Sequence, residues 1–111
     1  MLFPHDTKVD ALAKSPLFAD LSKQELGQLA KATEDLEVEE GKVLTREGDL
    51  GREFFVIVDG DVSVTQDGKE ITRLGPGDFF GEIALIYENA RRTATVTSAS
   101  HLRFFVLTRQ S

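Results

Sequence analysis

The chain has 111 residues, 41% hydrophobic and 29% charged, enough for one hydrophobic core and well clear of disordered compositions. Its net charge of −6 lacks the basic patch behind non-specific nucleic-acid affinity, so no direct nucleic-acid contact by this segment is expected. Without cysteine there is no disulfide or thiolate metal site; no apolar run reaches the length of a membrane span, and MLFPHDTKVDALAK lacks the order of a secretory signal, leaving the cytoplasm as the default location.

A first helix is expected over residues 6–14, broken at Ser15-Pro16-Leu17-Phe18, because the residue before a proline is pushed out of helical geometry. Ser22-Lys23-Gln24-Glu25 has the form of a capping box. Leu26, Leu29 and Ala30 then recur at helical spacing, predicting a second helix whose single apolar stripe lies on a sheet. From Thr33 onward the texture changes to short β-prone runs at 36–38, 43–45, 54–59, 62–66, 71–74, 93–98 and 102–108. Asp59-Gly60 and Asp67-Gly68 sit between such runs and predict hairpin turns, while Glu40-Gly41 and Gly75-Pro76-Gly77 mark further turns. The expected fold is mainly β with N-terminal helices, an antiparallel β-roll of the jelly-roll type. Phe54-Phe55, Phe79-Phe80 and Phe104-Phe105 are pairs, which in strands place one ring on each face, so one ring of each pair belongs to the core.

One segment departs from this strand texture. GDFFGEIALIYENARRTATVT, residues 77–97, joins a glycine turn, a helix start and an arginine in one anion-sized loop. Gly81 admits close approach of a ligand, and Glu82-Ile83-Ala84-Leu85 forms one helical turn whose first N–H groups lack intrahelical partners and suit an anion. Arg92 carries a planar, permanent charge able to grip two phosphate oxygens. Thr93 and Ala94 keep the contact surface small.

In order and spacing, Phe80-Gly81-Glu82-Ile83-Ala84-Leu85 followed by Arg92-Thr93-Ala94 resembles the phosphate-binding cassette of the cyclic nucleotide-binding domain family, which includes catabolite activator proteins, protein kinase regulatory subunits and cyclic-nucleotide-gated channels. The resemblance extends through Gly48-Asp49 and the run from Phe55 to Val62, and on to the run from Leu102 to Leu107. It implies that Arg92 pairs with the cyclic phosphate and that Glu82 accepts from the ribose 2′-hydroxyl; an acidic residue is also favoured there by the helix dipole alone. Gly81, Ile83, Ala84, Thr93 and Ala94 contribute backbone and close approach, with the N–H groups of Ala84 and Thr93 as phosphate donors. The Thr93 hydroxyl reaches a phosphate oxygen or the exocyclic amine of a syn guanine, although a threonine also suits a strand start. Val64 and Ile71 are implied to line the base pocket, though inward aliphatics at strand spacing serve equally as core. Arg91 is expected in solvent.

The function so implied is regulatory binding of cyclic AMP, ahead of cyclic GMP, by a non-catalytic sensor without cofactor. In the family a pair of helices follows the last strand, so residues 1–111 are expected to be the binding domain without those lid helices; an attached output domain or a second copy of the chain is the partner expected. The alternative is a structural or interaction β-roll that no longer binds nucleotide. A metalloenzyme of the jelly-roll kind is disfavoured because His5 and His101 are the only imidazoles, and no Gly-x-Ser-x-Gly elbow, cysteine nucleophile or P-loop is present. No catalytic or metal-binding residue is expected.

Overall fold

Two apolar runs, Phe54 to Val58 and Phe104 to Leu107, decide the architecture, because a strand without hydrophobic–polar alternation needs cover on both faces. The computed structural model describes residues 4–109, with side chains from residue 8 onward. His5 therefore lies outside the residues whose side chains are described.

The chain runs through α1 (Pro4–Ala13), a 3-10 turn at Pro16–Phe18 and α2 (Lys23–Lys31), then β1 (Glu34–Val38), β2 (Val43–Thr45), β3 (Glu53–Asp59), β4 (Val62–Gln66), β5 (Lys69–Leu74) and β6 (Phe79–Phe80). A short helix α3 (Ile83–Ile86) leads to β7 (Thr95–Ser98) and β8 (Leu102–Thr108). The strands form two antiparallel four-stranded sheets, in the orders β1-β8-β3-β6 and β2-β7-β4-β5. The mainly β roll expected from the sequence is the fold observed.

β3 and β8 carry the two cores. Phe55, Ile57, Phe104 and Val106 face the second sheet and pack with Val62, Val64, Val96 and Leu102. Their neighbours Phe54, Val56, Phe105 and Leu107 face the other way, against Leu12 of α1 and Leu26 and Ala30 of α2. Each fully buried aliphatic or aromatic side chain of this kind contributes about 1.5–3 kcal/mol through apolar burial. Both rings of each phenylalanine pair are thus used. Phe54 meets Phe18 edge-on at 5.7 Å beneath the helices, whereas Phe55 stacks on Phe80 at 4.6 Å between the sheets.

The capping box at α2 is complete: Glu25 N–H donates to Ser22 Oγ at 3.1 Å, and Ser22 N–H donates to Glu25 Oε1 at 2.9 Å. Asp67-Gly68 is the hairpin turn between β4 and β5, with φ of 51° and 79° at its central residues, the double positive φ that a tight hairpin demands. Asp59-Gly60 corrects the expectation. It joins strands of different sheets, because β6 and β8 already occupy the two edges of β3 while β4 pairs with β5 and β7. Gly60, at φ 89°, takes the chain around this corner so closely to the His101 carbonyl that a Cβ would overlap it. The two-residue β6, absent from the sequence reading, is aimed by the Gly75-Pro76-Gly77 turn, where Gly77 N–H donates to Ile57 O at 2.9 Å and Ile57 N–H to Asp78 O at 2.8 Å.

At the turn between β7 and β8, His101 Nε2 lies 2.8 Å from Glu37 Oε1 and Nδ1 lies 3.6 Å from Glu39 Oε1. The hydrogen bond to Glu37, against a smaller desolvation, raises the imidazole above its ordinary 6.5, with Glu39 assisting. A raised folded-state value means that this contact is fully present below about pH 6.5 and is lost as pH rises through the folded-state value. An NMR titration should accordingly place the His101 midpoint above 6.5, and Glu37→Gln should lower it. A midpoint unmoved by that substitution would remove Glu37 as the cause.

Candidate functional site

Between β6 and β7 the chain leaves the ladder and turns back on itself around Gly81. Gly81 adopts φ 85°, and a Cβ there would stand 2.6 Å from Glu53 O and 2.9 Å from Arg92 Nη1, so the position is restricted by both conformation and space. The next residues wind into α3, with Glu82 at its N-cap. Ala84 N–H closes onto Gly81 O at 3.1 Å and Leu85 N–H onto Glu82 O at 3.0 Å. The donors left open at this end are therefore those of Glu82 and Ile83, for which no acceptor appears among the described residues. Ala84, an expected phosphate donor, spends its N–H on the first turn of this very short helix.

The arginine loop is held against the segment Gly48 to Gly51. Gly48 N–H donates to Arg92 O and Arg92 N–H to Asp49 O, each at 2.8 Å; Leu50 bridges Arg91, and Gly51 N–H reaches Ala90 O at 3.1 Å. Strand-like alternation in that bridge sends neighbouring side chains opposite ways. Arg91 is exposed and donates to Gly48 O at 2.9 Å. Arg92 turns inward, its side chain only 10% exposed, and donates through Nη2 to both Glu53 O and Glu53 Oε1 at 3.0 Å. Its guanidinium also lies 5.8 Å from the centre of the Phe55 ring.

A cavity of about 270 Å³ opens beside this arginine. Gly81, Glu82, Ile83, Ala84, Arg92, Thr93, Ala94 and Val64 all line it, so eight of the nine residues singled out in the sequence come together. Ile71 does not. It is 55% exposed, because β5 bulges between Thr72, which faces Val64, and Glu70, which faces Thr65. Thr72 takes the lining place instead, with Leu74, Val96 and Thr45 completing that wall. The Thr45 hydroxyl is buried and donates to Ala94 O at 3.2 Å. The site thus has an apolar end and an end with the inward Arg92 guanidinium and several unengaged N–H groups, with the exposed Arg91 also on its lining, which suits an amphiphilic ligand carrying an anion.

Three contributors escaped the sequence reading. Glu53 holds Arg92; Gly51 leaves the space its side chain fills, since a Cβ there would overlap Nε, Cζ and Cδ of Arg92; and Thr72 replaces Ile71. The only sequence cue was the second glycine of Gly48-Asp49-Leu50-Gly51, two residues ahead of the start of β3. Among the described residues no cluster of His, Cys, Asp or Glu could hold a metal ion, and no helix is long and apolar enough to cross a membrane.

The family model described as the cyclic nucleotide-binding domain matches residues 35–111. The chain belongs to the cyclic nucleotide-binding domain family. This cyclic nucleotide-binding domain is 36% identical over 93 residues to the cAMP-dependent protein kinase regulatory subunit of Schizosaccharomyces pombe, covering 83% of the chain and 22% of that protein. It is 30% identical over 98 residues to the cGMP-dependent protein kinase of Plasmodium berghei, covering 88% of the chain and 11% of that protein. The domain therefore spans less than a quarter of either relative's length. Among solved structures, the regulatory domain of Toxoplasma gondii PKA with cAMP superposes with a TM-score of 0.86 at 36% identity, over 95% of the chain and 41% of that structure.

Proposed function

We propose that this domain binds cyclic AMP in preference to cyclic GMP and acts as a regulatory sensor without chemistry of its own. The observation that carries this reading is the inward Arg92 at one end of the cavity, largely shielded from water, beside the unengaged N–H groups of Glu82, Ile83, Thr93 and Ala94. In these roles Arg92 grips the cyclic phosphate, Gly81 and Ala84 allow its close approach, and the half-buried Glu82 accepts from the ribose 2′-hydroxyl. The base rests against Val64, Leu74, Ala94 and Val96.

Adenine is favoured because guanine brings a ring N–H, an amine and a carbonyl to a mostly aliphatic wall, and each unpaired polar group buried there costs free energy. The relative named for cAMP and the structure with cAMP support the same choice. The relative named for cGMP and the Thr93 hydroxyl keep cyclic GMP as the weaker ligand. Ligand binding would act by favouring one of two conformations, with an attached output domain or a second copy as recipient and the cytoplasm as location. Ile83, Ile86 and Tyr87, each more than half exposed, offer such a partner an apolar face beside the cavity.

Calorimetric titration with both nucleotides tests the proposal. Saturable binding is expected, tighter for cyclic AMP. Thr93→Ala should cost cyclic GMP about three- to tenfold, the worth of one hydrogen bond, and cyclic AMP less. No binding of either nucleotide would leave the β-roll as a structural or interaction module.

A further inference from the structure

Three successive carbonyls of the arginine loop are held by three different parts of the fold. Arg92 O accepts from Gly48 N–H at 2.8 Å, Thr93 O from Gln66 Nε2 at 2.8 Å, and Ala94 O from Thr45 Oγ1 at 3.2 Å. Thr93 and Ala94 precede β7, so no ladder bond fixes either. Gln66 is unlike the other two donors. It closes β4 at the hairpin tip, is exposed, and does not line the cavity. The tip is itself anchored: Asp67 N–H donates to Glu47 Oε1 at 3.1 Å, while Glu47 N–H donates to Thr95 Oγ1 at 3.0 Å. Glu47, Asp67 and Gln66 thus form a bracket around the outside of the loop.

The consequence follows from the planar trans peptide, in which a carbonyl and the N–H of the next residue point in opposite directions. With the Thr93 carbonyl drawn to Gln66, the Ala94 N–H is turned away from the bracket, and both Thr93 and Ala94 line the cavity. No acceptor meets that N–H among the described residues. If the peptide flipped, the carbonyl would face the cavity instead and present partial negative charge to an anion.

We infer that Gln66 is a positioning residue for anion binding: its side-chain amide holds the Thr93–Ala94 peptide so that the Ala94 N–H faces the cavity before a phosphate arrives. The inference rests on the cyclic-nucleotide reading above and adds a residue that makes no ligand contact.

The test is titration of the whole chain and of Gln66→Ala and Gln66→Glu with cyclic AMP and with adenosine, which keeps the base and ribose but has no phosphate. Gln66→Ala should weaken cyclic AMP by about five- to tenfold, the loss of one oriented hydrogen bond. Adenosine affinity and the melting temperature of the unliganded protein should stay as in the wild type. Gln66→Glu, the same shape without the donor, should lose at least as much as Gln66→Ala. The Ala94 amide proton resonance at saturating cyclic AMP should move downfield in the wild type and less in Gln66→Ala, a signature that lost stability alone would not produce. An equal loss for both ligands, an unchanged Ala94 resonance difference, or cyclic AMP affinity untouched by either variant overturns the inference while leaving the wild-type reading intact. A wild-type chain that ignores cyclic AMP overturns both.

Discussion

Arg92→Ala is expected to weaken cyclic AMP binding by about 100-fold or more, the cost of removing one partner of a desolvated, doubly hydrogen-bonded charge pair. The phosphate loses a guanidinium whose side chain is only 10% exposed, the cation turned inward beside the cavity. The unliganded fold should lose little, about 1 kcal/mol, because Glu53 is 45% exposed and water can solvate it. Calorimetry and a thermal melt on the same preparation separate the two quantities. Gly51→Ala provides a second route to the same end: its Cβ would overlap the Arg92 side chain and displace it without deleting any charge. Both variants should therefore lose affinity while still folding. Affinity within fivefold of the wild type in Arg92→Ala would place the anion cradle elsewhere.

The largest loss of stability is expected for Phe54→Ala, about 3–5 kcal/mol by analogy with other buried aromatic truncations. Phe54 has no exposed surface and ties β3 to the 3-10 turn and β6, meeting Phe18 at 5.7 Å and Phe79 at 5.8 Å, in a core cluster shared with Leu12 of α1 and Leu26 and Ala30 of α2. Its ring leaves a gap that rigid strands on one side and helices on the other cannot both collapse to fill. Against a typical total of 5–15 kcal/mol this is a large share, and the melting temperature should fall by about 15 °C. Tyr87→Ala, at a side chain 62% exposed, is the matched control and should shift it little. Similar melts for the two variants would mean that the helices are not packed on the outer face of β3.

Much of this arrangement was legible from local chemistry. The capping box at Ser22 and Glu25, the double positive φ at Asp67-Gly68, and the chain reversal at Gly81 each depend on a few adjacent residues. Seven of the strands announced themselves by β-prone runs between turns, and each phenylalanine pair placed one ring in the core, while the structure buries the second ring of the β3 and β8 pairs as well. The cassette around Gly81 and Arg92 was visible because its residues are close in sequence and their spacing is specific.

Contacts that depend on how strands are assembled were not legible. Asp59-Gly60 has the composition of a hairpin turn, yet it became a corner between sheets because both edges of β3 were already paired. Ile71 sits at strand spacing to face the cavity, but a bulge opposite Thr65 handed that place to Thr72. Glu53 reaches Arg92 across 39 positions, and Gln66 reaches Thr93 across 27. By itself, then, the sequence determined the helices, seven of the strands, the fold class and the candidate loop around Gly81 and Arg92, since each is written in backbone preference and in spacings of a few residues. Only the tertiary structure decided which carboxylate restrains the arginine, which threonine lines the cavity and which amide orients the loop, because those choices follow from strand register and sheet pairing, where a shift of one residue sends every side chain to the opposite face.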